Sequence, residues 1–143
     1  MAKTTFSGPV NSLGGFMQPV QYITSASVSP ISIDAGSSYV ILATAQGGPA
    51  AAVTLVLPQV TSGTFSPTSQ PADANFNGIR GQVYNQDGTL VHILKGFGSP
   101  AQPVNEDADG VNIAVNSVVQ WVGNGNQSAP WLAVANSLAV GAT

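Results

Sequence analysis

The chain has 143 residues, no cysteine, and three basic against six acidic residues, for a net charge of −3. That length suggests one domain. Charged residues make up 6%, where about 25% is usual for soluble domains, which argues against a phosphate-neutralising nucleic-acid surface, and the absence of cysteine excludes a disulfide framework and zinc–thiolate chemistry.

Hydrophobic residues make up 43%, too many for a chain disordered throughout. No segment approaches the ~20 apolar residues of a membrane span. Residues 4–20 lack the continuous apolar stretch of a signal peptide, so none is expected. Neither nucleic acid nor membrane is therefore expected as a partner. The scarcity of charge has two readings. The surface is largely covered in an assembly, since interface cores are depleted in charge, or it is simply rich in Ser and Thr.

Residues 1–34 read as an extended N-terminal arm. The opening MAKTTFSGPVNSLGGF places single apolar residues at Phe6, Val10, Leu13 and Phe16 with neither helical nor strand period. Pro9, Pro19 and Pro30 punctuate the arm, and Gly8, Gly14 and Gly15 loosen it. Short strand pieces such as Val20–Ile23 are expected within it. Residues 35–143 read as an all-β domain, a β-sandwich or jelly-roll-like fold. SYVILATA (Ser38–Ala45) and AAVTLVLP (Ala51–Pro58) are strand-like runs separated by the turn QGGP. Tyr39–Ala45 is apolar on both sides. Either the domain encloses it, or one side meets another subunit.

A long loop follows over residues 61–78, broken by Gly63, Pro67 and Pro71. Loops of this length are usually functional or mobile. GQVYNQDGTLVHILKG then reads as a hairpin, with arms Ile79–Gln86 and Thr89–Lys95. Its Asp87-Gly88 pair is the signal for a two-residue type I′ turn. Val111, Ile113 and Val115 alternate with polar or small residues, as in a strand with one buried face. VVQWV (Val118–Val122) and WLAVA (Trp131–Ala135) complete roughly seven or eight short strands, with no sustained helical period.

The residues offer little chemistry. His92 is the one histidine. It lies in an alternating run without a nucleophile elbow or other triad signature, so a structural role is favoured over catalysis. No phosphate-binding loop is spelled, and no enzyme activity or cofactor is expected. NEDADG (Asn105–Gly110) resembles the first half of a calcium loop, in which Asn105, Asp107 and Asp109 would supply oxygens. Its twelfth position is Asn116 instead of a bidentate Glu, so a surface turn is the favoured reading and calcium the weaker alternative. Asn126-Gln127-Ser128 spells a glycosylation sequon, a triplet common by chance. Trp121 and Trp131 sit in strand-like runs, where core packing is favoured over a sugar-binding surface.

The opening T-T-F-S-G-P-V segment, leading into Asn11-Ser12-Leu13-Gly14-Gly15-Phe16, resembles the start of head-associated proteins of tailed bacteriophages. Val53-Thr54-Leu55-Val56-Leu57-Pro58, Val118–Gly123 and Trp131–Val134 are loosely similar to a recurrent phage structural β-domain. The resemblance implies a capsid decoration, or cement, protein without catalytic residues. Such a protein is made in the host bacterial cytoplasm and sits on the outer capsid surface of the virion. It bridges subunits of the major capsid protein there, typically as a homotrimer. The arm would then supply the capsid or subunit interface through Thr5, Phe6, Ser7, Gly8, Pro9, Val10, Leu13 and Phe16. The turn before Trp131 is longer than in the family-like pattern. The alternative is a phage head- or tail-fibre module that binds host surface glycans through Trp131 and Tyr84.

Overall fold

The computed structural model describes residues 19–63, 76 and 78–139. These residues form two mixed β-sheets and no α-helix. Nine strands occur in chain order. They are β1 (Val20–Ile23), β2 (Ile31–Ser32), β3 (Ser38–Ile41), β4 (Thr54–Val56), β5 (Arg80–Asn85), β6 (His92–Lys95), β7 (Val111–Ile113), β8 (Ser117–Gly123) and β9 (Trp131–Ser137).

One sheet has the order β1-β3-β5-β8-β9 and the other β2-β4-β6-β7. From β1 to β6 the chain changes sheet after every strand. It therefore re-enters each sheet running the same way, and β1, β3 and β5 pair in parallel, as do β2, β4 and β6. The final strands reverse this. β7 returns antiparallel on β6, and β8 and β9 extend the larger sheet antiparallel from β5. Four parallel ladders depart from a jelly roll, which is antiparallel throughout.

The all-β expectation holds at the level of strands. Val20–Ile23 is β1, so the span read as an arm supplies a strand to each sheet and buries Ile23 and Ile33. The expected hairpin around Asp87-Gly88 is not formed. Its two arms, β5 and β6, lie in different sheets, and neither Asp87 nor Gly88 has positive φ. The segment is a crossover. Ser38–Ala45 is strand only to Ile41, because Thr44 begins a 3₁₀ turn. Val111–Val115 is strand only to Ile113, and Val115 is exposed where the chain turns through Asn116 at φ 48°.

One buried cluster draws on both sheets. Ile23, Tyr39, Ile41, Val83, Val119 and Trp121 enter it from the larger sheet, and Leu55, Leu94 and Ile113 from the smaller. Fully burying an aliphatic side chain of this kind contributes about 1.5–3 kcal/mol. Trp121 sets the tightest contact. Its indole Nε1 donates to the Ala35 carbonyl at 2.9 Å, and the ring crosses over Gly81, its partner on β5. A Cβ at Gly81 would overlap the indole and crowd the Ala35 carbonyl oxygen. Overpacking of this kind typically costs about 1–3 kcal/mol. Gly81→Ala should therefore lower the urea midpoint without changing the slope of the transition, and an unchanged midpoint would show that the indole has room to move.

Candidate functional site

The residues expected at an interface from the sequence, Thr5, Phe6, Ser7, Gly8, Pro9, Val10, Leu13 and Phe16, lie outside the described residues. The described chain enters at Pro19, whose carbonyl accepts a hydrogen bond from the Ser38 amide at 2.9 Å.

The Asn105–Gly110 segment is a turn with a structural task. Val104 and Asp107 exchange two main-chain hydrogen bonds of 3.0 Å, and the two residues between them, Asn105 and Glu106, have φ of 52° and 67°. Two central residues at positive φ are what a type I′ turn requires. The Asn105 main-chain N–H donates to the Trp131 carbonyl at 2.9 Å. Its side-chain Nδ2 donates to the Ala133 carbonyl at 2.9 Å, and its Oδ1 accepts the Ala133 N–H at 2.8 Å. The amide thus imitates a neighbouring strand and caps the outer edge of β9. Asn105, Asp107 and Asp109 are not brought together around a cation. Asn105 Oδ1 is committed to β9, and Asp107 Oδ1 accepts the Asp109 N–H at 2.8 Å. Among the described residues no group of three or more His, Asp or Glu is arranged to hold a metal.

At one end of the sheets lies a polar clasp built on the buried side chains of Asn85 and Asp87. Asp87 Oδ1 accepts from the Thr89 N–H at 2.7 Å, the Thr89 hydroxyl at 2.6 Å and the Leu90 N–H at 3.2 Å. Its Oδ2 accepts from the Thr44 N–H at 3.0 Å and the Thr44 hydroxyl at 2.7 Å. The fully buried Asn85 accepts the Asp87 N–H at 3.0 Å and donates to the carbonyls of Leu90 and Ala114. Hydrogen bonds from both threonines hold the Asp87 carboxyl well below the usual carboxylate range. Sequence reasoning missed Asn85 and Thr44. The spacing Asp87-Gly88-Thr89 did carry a signal, because Asp commonly accepts from the residue two positions on in an Asx turn.

His92 is buried beside this clasp. Its Nδ1 accepts the Val53 N–H at 3.0 Å. The ring is therefore the neutral tautomer with its proton on Nε2, and that atom has no partner. Burial pushes the imidazole below its ordinary value, while the Asp87 charge pulls less strongly the other way. Trp121 and Trp131 are buried as core residues. Trp131 packs against Phe76, with ring centroids 6.0 Å apart, so the glycan surface envisaged around Trp131 and Tyr84 loses its tryptophan.

The outer face of the larger sheet also reaches the surface. Tyr84, half-buried, lies between Val40 and Val118 across the ladders. Val20, Tyr22, Leu132 and Val134 are exposed on the outermost strands. A shallow groove of about 230 Å³ runs between Arg80, Gln82, Gln120, Val122, Leu132 and Val134. The Gln120 amide donates to Gln82 Oε1 at 3.1 Å, and Gln82 donates in turn to the Ser38 hydroxyl at 3.0 Å. The face offers apolar area and amide groups, with Arg80 as the only charged residue on its strands. No family model matches the chain, and no curated protein matches it.

The clasp and its histidine predict two acid windows. His92 has a folded pKa below its unfolded value, which is 6.5. Its contribution is present above pH ~6.5 and is lost as pH falls through that value toward the folded pKa, with a slope of at most about 1.4 kcal/mol per pH unit. Asp87 is also lowered, so its contribution is lost only below its ordinary value of 3.8. Thermal melts should show stability falling between pH 7 and pH 5 in the native chain and a flat profile there in His92→Gln. A wild-type profile as flat as the variant's would contradict the assignment of a buried neutral imidazole.

Proposed function

We propose that this chain is a virion structural protein that binds the outer surface of a phage capsid and stabilises it as a decoration protein. In this reading it acts as a homotrimer bridging subunits of the major capsid protein, and it works through interfaces, without catalysis or a cofactor. Its two sheets form the β-sandwich of such a protein, and residues 4–16 form the segment that reaches the shell.

The observation that carries the reading is a pairing of scarce charge with an uncovered apolar sheet face. A chain with 6% charged residues that leaves Val20, Tyr22, Leu132 and Val134 exposed on one sheet has the surface of a protein that works in contact with others. The T-T-F-S-G-P-V opening, from which the resemblance to head-associated proteins comes, supports the same reading. In this reading the shell offsets the ordering of Thr4–Phe16, roughly 1–2 kcal/mol per residue. Strand addition to the shell would supply main-chain hydrogen bonds, with Phe6, Val10 and Phe16 filling pockets. Repetition of the trimer over a capsid would make weak contacts act together. The alternative, a fibre module binding host glycans, now has Tyr84 but not Trp131 to stack on a sugar.

Deleting residues 2–16 should abolish co-sedimentation with expanded capsids while leaving the thermal midpoint of the free protein nearly unchanged. Undiminished binding by the truncated chain would overturn the role given to that segment.

A further inference from the structure

The hydrogen bonds of His92 leave a second proton one place to go. Nδ1 accepts the Val53 N–H at 3.0 Å, so the neutral ring carries its proton on Nε2, which has no acceptor. Protonation must therefore occur at Nδ1. It turns the acceptor of the Val53 N–H into a donor, and two N–H groups then face each other. Nothing around the ring replaces the lost bond. β4 and β7, the ladder neighbours of β6, carry no titratable side chain. Lys95, on β6 itself, lies on the opposite side of the strand. On the larger sheet Tyr22, Arg80 and Tyr84 belong to the outer face, and the Tyr39 hydroxyl accepts the Asp34 N–H at 2.7 Å. Asp87, on the crossover, is the charged group that acts on the imidazole. Its two oxygens already accept five hydrogen bonds, from Thr44, Thr89 and Leu90. An imidazolium could reach it only by displacing a donor of the clasp.

We infer that His92 is an acid-sensitive latch on one end of the smaller sheet: its protonation breaks the bond to Val53 and releases residues 50–53, the approach to β4, from β6, while the rest of that sheet stays closed. A buried charge without partners is costly, and hydration removes the cost. The shortest way for water to reach the ring is through this segment, because Ala50, Ala51 and Ala52 are already exposed. Few bonds hold it. The Val53 carbonyl accepts the Ile93 N–H at 3.0 Å, and the Thr54 N–H donates to the Ser29 hydroxyl at 3.0 Å. The far end of the same ladder does not depend on the histidine. There the Leu57 N–H donates to the Lys95 carbonyl at 2.8 Å, over Leu55 and Leu94, which are fully buried. The inference concerns the free chain and makes no use of the capsid reading. It also goes beyond a loss of overall stability in acid, because it assigns the first opening to one end of one sheet.

Residue-resolved amide hydrogen exchange of the full-length chain, expressed as protection factors between pH 7 and pH 5, tests it. The closed form disfavours the protonated ring, so the opening becomes more populated as pH falls below the ordinary histidine value of 6.5. Protection of Val53 and Ile93 should fall there by up to about tenfold per pH unit, while Leu57 keeps its protection. In His92→Gln the side-chain carbonyl can accept the Val53 N–H and does not titrate, so Val53 should be equally protected at both ends of the range. A second measurement on the native chain covers the case in which that variant fails to fold. His92 is the only histidine, and its ¹⁵N shifts at pH 7 should show the proton on Nε2 and Nδ1 bare. Val53 protection unchanged from pH 7 to pH 5, an equal loss at Leu57 and Val53, or a proton on Nδ1 at pH 7 would each overturn the inference.

Discussion

The fold turns on how the buried side chains of Asn85 and Asp87 hold the crossover from β5 to β6. The chain must leave one sheet after Asn85 and join the other at His92, and main-chain groups taken out of water on the way need partners. Asp87 meets this need with both carboxylate oxygens, and Asn85 with both ends of its amide. Thr44 ties the end of β3 to the same carboxylate, while the Ala114 carbonyl brings in the end of β7. One acid and one amide thus connect the larger sheet to the smaller. They do so with hydroxyls and peptide groups instead of a cation, which suits a chain with so few bases. Removing the Asn85 side chain would leave the buried Asp87 N–H without its acceptor, the costly side of hydrogen bonding.

Much of the strand content was legible because alternation records which side of a strand is buried. Trp121 and Val119 point inward from β8 while Gln120 points out, as VVQWV suggests. Alternation does not record which sheet a strand joins. The Asp87-Gly88 pair looked like a hairpin turn because its composition fits one, but Asp87 uses its side chain to hold a crossover and both residues keep negative φ. The type I′ geometry occurs instead at Asn105-Glu106, inside the segment that spelled half a calcium loop. There the competing principle was tertiary. Asn105 tolerates the left-handed region and finds its partners on β9, far along the chain. No local pattern in the sequence announces that contact.

The surface was legible in composition more than in position. Scarce charge fits either a covered surface or one rich in Ser and Thr, and only the ladders show that Val20, Tyr22, Leu132 and Val134 share one side of the larger sheet, while Val28, Val91, Phe97 and Val115 are exposed elsewhere. The apolar character of Tyr39–Ala45 is divided accordingly. Tyr39 and Ile41 are buried in the core, and Val40 faces outward beside Tyr84. The proposed function draws on this division between an interior tied by a polar clasp and an outer face with almost no charge.

The most direct measurement of the central claim is amide hydrogen exchange on the full-length chain near neutral pH, followed residue by residue. The account predicts that the amides of Thr44, Thr89 and Leu90, all outside strands, exchange as slowly as those of β5, because their donation to Asp87 breaks only when the two sheets separate. Rapid exchange at these three positions, with β5 still protected, would contradict it and reduce the clasp to a surface turn.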